Sequence, residues 1–131
     1  MRVTATTGNE ILPVWSPDGV RLAYGSGNLT ERRLTIAAAD GTGVLQELPC
    51  PGAFCEPTDW SPDGRHLIVN TRATMTGARG VVWSVSLEPS GSAEALLSGS
   101  FPEYDARISP DGRWLAYVSE VPVNWCPELG T

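Results

Sequence analysis

The sequence contains no lysine and only one histidine, His66. Without a lysine there is no Gly-rich phosphate-binding loop that ends in one. His66 begins an apolar run at the place where two similar segments have Arg21 and Trp114, a position typical of strand packing or of the surface. A Gly-x-Ser-x-Gly nucleophile turn is also missing. We therefore predict that the chain has no catalytic residues and is not an enzyme.

Long apolar runs and an excess of positive charge are absent as well. No apolar run approaches the roughly 18 residues of a membrane span, and the first residues lack the apolar core of a signal peptide. The net charge of −6 disfavours nucleic acid and anionic membranes as partners. We therefore expect no membrane insertion and no nucleic-acid binding. Strand-like residues begin almost at once, at 2–6, as in a segment cut from a longer protein.

Cysteine is scarce, because Cys50, Cys55 and Cys126 are the only three and cannot all pair within one chain. Cys50 and Cys55 lie in one loop, where either a small disulfide or two free thiols fit the sequence. Cys126 is left for an intermolecular bond or a free thiol. Cys50, Cys55 and His66 match no standard zinc spacing, so we predict no metal site and no cofactor.

The sequence does contain a tetrapeptide, Ser-Pro-Asp-Gly, whose three copies start 45 and 48 residues apart. In such a turn the proline presets its own φ, the aspartate bonds to nearby backbone amides, and the glycine supplies a positive φ. Turn bonding is thus a sufficient role for the aspartates, and one carboxylate per distant hairpin does not make a calcium site. The predicted turn residues are Ser16, Pro17, Asp18, Gly19, Ser61, Pro62, Asp63, Gly64, Ser109, Pro110, Asp111 and Gly112.

A period of this size, carried by strand-turn-strand segments, is typical of β-propeller blades. Residues 34–39 fit either a strand or a helix, but the Asp-Gly turn that follows them and the clear strand at 81–87 of the next repeat favour a strand. We predict an all-β chain, a partial β-propeller of about two and a half to three four-stranded antiparallel blades. The predicted single domain covers residues 1–131, with blade units at roughly 9–49, 54–98 and 101–125, an extra strand at 2–6 and an irregular tail at 121–131.

Three segments, at residues 14–24, 59–69 and 107–117, resemble the WD40-like Pro-Asp repeat (PD40) of TolB-like β-propellers. Residues 101–119 most resemble the propeller regions that follow bacterial serine/threonine kinases. The resemblance implies a bacterial propeller, and related propellers act as the periplasmic partner of the Tol-Pal system, as gating domains of peptidases or as sensor-like modules on kinases. It therefore suggests a periplasmic location as one alternative and a cytoplasmic one as the other.

In propellers of this kind the first strand of each blade lines a central channel, and the channel entrance is the usual ligand face. By repeat alignment, Asp59, Asp105 and Arg107 are predicted to face the channel together. Glu56, Glu103 and Tyr104 are predicted at its mouth. The alternative is that these side chains are solvated or pair with one another. If they bind a ligand, we expect a basic or polar peptide segment.

The functional prediction follows from the incomplete set of blades, because each blade needs a neighbouring blade on either side to bury its two flat faces. We predict a non-enzymatic protein-interaction module that binds a protein or peptide and self-associates through exposed blade faces, two chains completing a six-bladed ring as a homodimer. The alternative is a gating or sensor propeller segment of a larger bacterial peptidase or kinase.

Overall fold

The computed structural model describes residues 3–4, 7–77, 79–88 and 91–121, and every regular element in these ranges is a β-strand. No helix in the described ranges is long and apolar enough to cross a membrane. The strands are β1 (Asn9–Trp15), β2 (Arg21–Gly27), β3 (Arg32–Ala38), β4 (Gln46–Leu48), β5 (Phe54–Trp60), β6 (His66–Arg72), β7 (Arg79–Ser86), β8 (Ala93–Leu97), β9 (Glu103–Ile108) and β10 (Leu115–Ser119).

Strands β1 to β4 form one antiparallel meander, which we call blade 1, and strands β5 to β8 form a second, blade 2. One parallel pairing, of Arg32 in β3 with Phe54 in β5, also joins the two blades. Strands β9 and β10 pair antiparallel as a separate two-stranded sheet, which we call blade 3. Successive antiparallel blades confirm the predicted all-β partial propeller.

All but the last residue of the ambiguous segment at 34–39 lies in β3, which pairs after the Asp-Gly turn with β4. Four residues of β3, from Leu34 to Ala37, are buried, because a strand between two neighbours presents side chains to both faces of the blade. Small alanines suit that crowded position as well as they suit a helix. The strand assignment from turn chemistry is therefore confirmed.

The ends of the chain are described only in part. Of the leading strand predicted at 2–6, Val3 and Thr4 are described and neither lies in a strand. The Thr4 hydroxyl instead donates to the carboxylate of Glu10 in β1. At the other end, Val121 lies outside any strand, and the rest of the predicted tail, with Cys126, lies outside the described residues.

The main hydrophobic core fills the interface between blades 1 and 2, which we call seam 1–2. It joins apolar side chains of β2, β3 and β4 to those of β5, β6 and β7. A smaller cluster fills seam 2–3, where Ile68 and Val82 of blade 2 meet Ala106 of blade 3. The buried residues of the larger cluster are Ala23, Leu34, Ile36, Leu48, Cys55, Trp60, Leu67, Val69, Val85 and Leu87.

A disulfide joins Cys50, just after β4, to Cys55 in β5, with a Cα–Cα distance of 5.8 Å. Of the two alternatives that the sequence left open, the structure has the disulfide. The bond ties the outer strand of blade 1 to the inner strand of blade 2. It therefore limits how far the two blades can separate at their connection.

Candidate functional site

The three Ser-Pro-Asp-Gly turns have the same hydrogen bonds. In the first, the Ser16 hydroxyl donates to the Asp18 carboxylate at 2.6 Å, and the Arg21 amide donates back to the Ser16 hydroxyl oxygen at 2.9 Å. The glycine of each turn has a φ between 72° and 75°, a left-handed conformation that glycine adopts without steric cost. The corresponding serine-aspartate bonds are 2.6 Å at Ser61 and 2.5 Å at Ser109.

These bonds lower the pKa of Asp18, Asp63 and Asp111 below the ordinary value of 3.8, first through the serine hydroxyl and then through a backbone amide. Both donors favour the ionised carboxylate. The hydrogen bonds within the turns thus explain the lowered pKa values. The ionised aspartates stabilise the hairpins through these bonds.

We predict that Ser109→Ala raises the pKa of Asp111, because the strongest donor to its carboxylate is lost. Because the folded-state pKa is depressed, the stabilisation by Asp111 is present above the unfolded value of 3.8 and is lost as the pH falls through the folded pKa. NMR titration of aspartate carboxyl carbons measures the shift. Asp18 and Asp63 serve as controls in the same spectra, and an unchanged Asp111 midpoint would contradict the assignment.

Glu56, predicted at the mouth of the channel, is buried within a cluster of charges. Its carboxylate lies 3.4 Å from the Arg32 guanidinium and 3.2 Å from that of Arg72. Arg32 comes from blade 1 whereas Glu56 and Arg72 come from blade 2, so the cluster crosses seam 1–2. The Arg32 guanidinium also lies 5.7 Å from the centre of the Phe54 ring. Glu56 therefore holds two blades together at a position where it has little contact with solvent.

Asp59 and Asp105 also take part in blade-to-blade contacts, in seam 2–3. The Ile108 amide of blade 3 donates to the Asp59 carboxylate at 2.7 Å. The Asp105 amide donates to the Asn70 side-chain oxygen at 3.1 Å, and the Asn70 side-chain nitrogen donates to the Asp105 carboxylate at 3.3 Å. Asp59 and Asp105 are therefore held by different partners, Asp59 half-buried and Asp105 exposed.

The other three predicted residues lie on or near β9. Glu103 accepts a hydrogen bond from the Gly99 amide at 3.3 Å, and the Tyr104 hydroxyl donates to Glu120 at 2.8 Å. The Arg107 side chain is exposed. The six predicted residues thus divide into a buried ionic cluster at Glu56, seam contacts at Asp59 and Asp105, and partly or fully exposed side chains at Glu103, Tyr104 and Arg107.

Sequence reasoning missed four seam residues: Arg32, Thr58, Asn70 and Arg72. The Thr58 hydroxyl donates to the Ala106 carbonyl of blade 3 at 2.8 Å, and Asn70 is 1% exposed. A polar residue within an apolar strand was the available signal, since buried polar groups need partners. Arg32 and Arg72 carry no such signal, because arginines at strand ends are ordinarily exposed.

No convergent group of three or more potential metal ligands occurs among the described residues. His66 is half-exposed, and its Nδ1 lies 4.0 Å from the Asp63 carboxylate of the adjacent turn. This contact lies on the surface, within the hairpin formed by the second Ser-Pro-Asp-Gly turn. The cleft between the second and third turns is lined by Ser61, Pro62, Asp63, Ile108, Asp111 and Gly112.

The described strands thus define the class: successive antiparallel blades of a β-propeller. Solved structures similar to this chain include a putative TolB from Agrobacterium tumefaciens, with a TM-score of 0.74, 26% sequence identity, and coverage of 89% of this chain and 40% of that one. TolB from Acinetobacter baumannii is also similar, with a TM-score of 0.68, 18% identity, and coverage of 88% of this chain and 28% of that one. The fold is therefore that of a TolB-like β-propeller, as the repeat predicted.

The chain spans less than half the length of either TolB structure. No family model matches it, and no curated protein sequence matches it. The similarity is thus one of fold, and it covers part of a longer propeller.

Proposed function

We propose that the chain is a non-enzymatic protein-interaction module of the bacterial TolB-like propeller type. One observation carries the proposal: among the described residues, one face of blade 3 is exposed where the matching faces of blades 1 and 2 are covered. Ala23 of blade 1 and Ile68 of blade 2 occupy the same repeat position and are 0% and 1% exposed. Ala116, at that position in blade 3, is exposed. The face that is covered in blades 1 and 2 is thus exposed in blade 3 within the described ranges, and a partner that covers it would complete the pattern.

We further propose that two chains complete one ring, each covering the free blade faces of the other. Closed two-fold symmetry fits this arrangement, because about two and a half to three blades per chain give a ring of about six. Light scattering coupled to size-exclusion chromatography tests it, and the expected mass is twice the chain mass of 14.0 kDa. A mass of one chain at every concentration would contradict the pairing.

The proposed ligand face is the exposed part of the predicted channel set, with Asp105 and Arg107 on β9 flanked by Glu103 and Tyr104. Carboxylates and a guanidinium side by side favour a polar or basic peptide over an apolar ligand. Asp59 contacts the Ile108 amide of β9 across seam 2–3, whereas Glu56 pairs with Arg32 across seam 1–2. Arg107→Ala and Asp105→Ala are then expected to change the affinity for a peptide directly. Substitutions of Glu56 are instead expected to lower the stability of the folded chain.

The Cys50–Cys55 disulfide supports an oxidising compartment, since such bonds persist in the periplasm and outside cells rather than in the cytosol. Together with the TolB-like fold, it favours the periplasmic alternative. Mass spectrometry of protein alkylated at lysis distinguishes the two states, and two alkylated thiols at Cys50 and Cys55 would argue against this location.

A gating or sensor segment of a larger peptidase or kinase is the second candidate function. It is favoured by the resemblance of residues 101–119 to the propeller regions that follow bacterial serine/threonine kinases. A hydrolase or kinase domain encoded in the same reading frame would support this alternative. The absence of such a domain from the complete coding sequence would count against it.

A further inference from the structure

One contact in each seam can be placed by its positions in the repeat, which are counted from the serine of each turn. In seam 1–2, the Arg21 guanidinium lies 5.0 Å from the centre of the Trp60 ring. Arg21 comes five residues after Ser16, and Trp60 comes one residue before Ser61. In seam 1–2, a side chain at the fifth position of blade 1 therefore covers the aromatic residue that precedes the turn of blade 2.

Seam 2–3 provides a second pair of positions. Asn70 comes nine residues after Ser61, and Asp105 comes four residues before Ser109. The two exchange hydrogen bonds of 3.1 and 3.3 Å. The ninth position of one blade therefore meets the position four residues before the turn in the next blade.

Among the described residues, blades 3 and 1 have exposed apolar side chains at the corresponding positions. On blade 3 the fifth and ninth positions are Trp114, 70% exposed, and Val118, 43% exposed. On blade 1 the positions one and four residues before the turn are Trp15, 60% exposed, and Leu12, 46% exposed. Leu12 has the same φ of 53° as Asp105, so the first strands of blades 1 and 3 share their backbone conformation at this position.

We propose that blade 3 of one chain packs against blade 1 of a second copy in the register of the internal seams, with Trp114 against Trp15 of the second copy and Val118 against Leu12 of the second copy. This inference rests on the proposed pairing of two chains and specifies its interface. The same head-to-tail contact occurs twice in the closed ring, and each contact covers one free face from either chain.

The chemistry of the end residues favours a second copy over a foreign blade. Inside the chain the corresponding pairs contain polar groups, an arginine over an aromatic ring and an asparagine with an aspartate. At the ends all four residues are apolar, and the two aliphatic ones, Leu12 and Val118, would leave a polar partner without a hydrogen bond. Each end thus offers what the other requires, an aromatic ring for an aromatic ring and an aliphatic side chain for an aliphatic side chain.

Sedimentation equilibrium of the full chain and of five variants tests the register. Trp114→Glu is expected to weaken the dimer by about tenfold or more, because it places an unpaired charge at the interface. Trp114→Arg is expected to stay within about threefold of the wild type, because seam 1–2 already pairs an arginine with a tryptophan. Trp15→Glu is expected to weaken the dimer, and combining it with Trp114→Arg is expected to restore affinity through an Arg-Glu pair. Val44→Glu, on a side chain that is 95% exposed, is the control and is expected to have no effect.

Circular dichroism of each variant confirms folding, which is expected to persist because the mutated side chains are exposed. A wild-type dimer that neither Trp114→Glu nor Trp15→Glu weakens would overturn the register and leave the pairing of two chains intact. A wild-type chain that stays monomeric would overturn both, and would favour a blade of a longer polypeptide as the occupant.

Discussion

Replacing Glu56 with glutamine is expected to lower the free energy of unfolding by about 3 kcal/mol, the usual cost of removing one partner from a buried ion pair. The isosteric amide keeps the volume of the side chain but leaves the guanidinium groups of Arg32 and Arg72 without a counter-charge. Because the cluster crosses seam 1–2, its loss weakens the contact between two blades. Urea denaturation at one fixed protein concentration measures the change.

The matched control is Glu47→Gln, since Glu47 is an exposed carboxylate 3.7 Å from Arg33. Exposed pairs of this kind contribute less than about 1 kcal/mol. Equal effects of the two substitutions would show that the Glu56 cluster does not hold the blades together.

Replacing Leu67 with alanine is expected to cost about 3 kcal/mol, within the range seen for cavities in well-packed cores. Leu67 is 0% exposed and belongs to the apolar cluster that fills seam 1–2. Its neighbours come from both blades, so they cannot close the cavity without moving one blade relative to the other. Thermal and urea unfolding both report the loss.

The repeat supplies the control for this prediction. Leu115 occupies the same position in blade 3 but is only partly buried, against the smaller cluster of seam 2–3. Leu115→Ala is therefore expected to cost about half as much, in proportion to the apolar area that it removes from contact. A larger loss of stability for Leu115→Ala than for Leu67→Ala would contradict the assignment of the main core to seam 1–2.

The strand order was predictable because each Ser-Pro-Asp-Gly turn fixes where two strands meet. Once the turns had set the phase, the alternation of apolar residues assigned the remaining strands, including β3 with its misleading alanines. The turn bonding expected of the three aspartates is also present, since each carboxylate accepts hydrogen bonds from its own serine and from a backbone amide. Local chemistry alone determines features of this kind.

The roles of Glu56 and Asp59 were not predictable, because they depend on how one blade lies against the next. Repeat alignment assigned both to a channel surface, and the structure shows Glu56 bonded to arginines and Asp59 to the Ile108 amide. Partners 24 and 49 residues away in sequence leave no periodic signal. The Cys50–Cys55 disulfide was left undecided for a related reason. The sequence spacing of the two cysteines permits a bond, but only the path of the chain between β4 and β5 brings their Cα atoms to 5.8 Å.

The positive φ of Leu12 was likewise invisible in the sequence, because a leucine gives no hint of a left-handed conformation. The register shift between Ile11 and Val14 explains it as a bulge in the first strand of blade 1. Blade 3 has a register shift opposite Asp105. Because of these bulges, the first strands of blades 1 and 3 have the same backbone conformation at Leu12 and Asp105.

Hydroxyl-radical footprinting of the tryptophans tests most directly whether a partner chain covers the free blade faces. Trp15 and Trp114 are 60% and 70% exposed in the single chain, whereas Trp60, in seam 1–2, is 4% exposed and serves as the internal reference. At concentrations where the chain is paired, modification of Trp15 and Trp114 is expected to fall toward that of Trp60, and to rise again on dilution. Equal and high reactivity of Trp15 and Trp114 at every concentration would contradict the account.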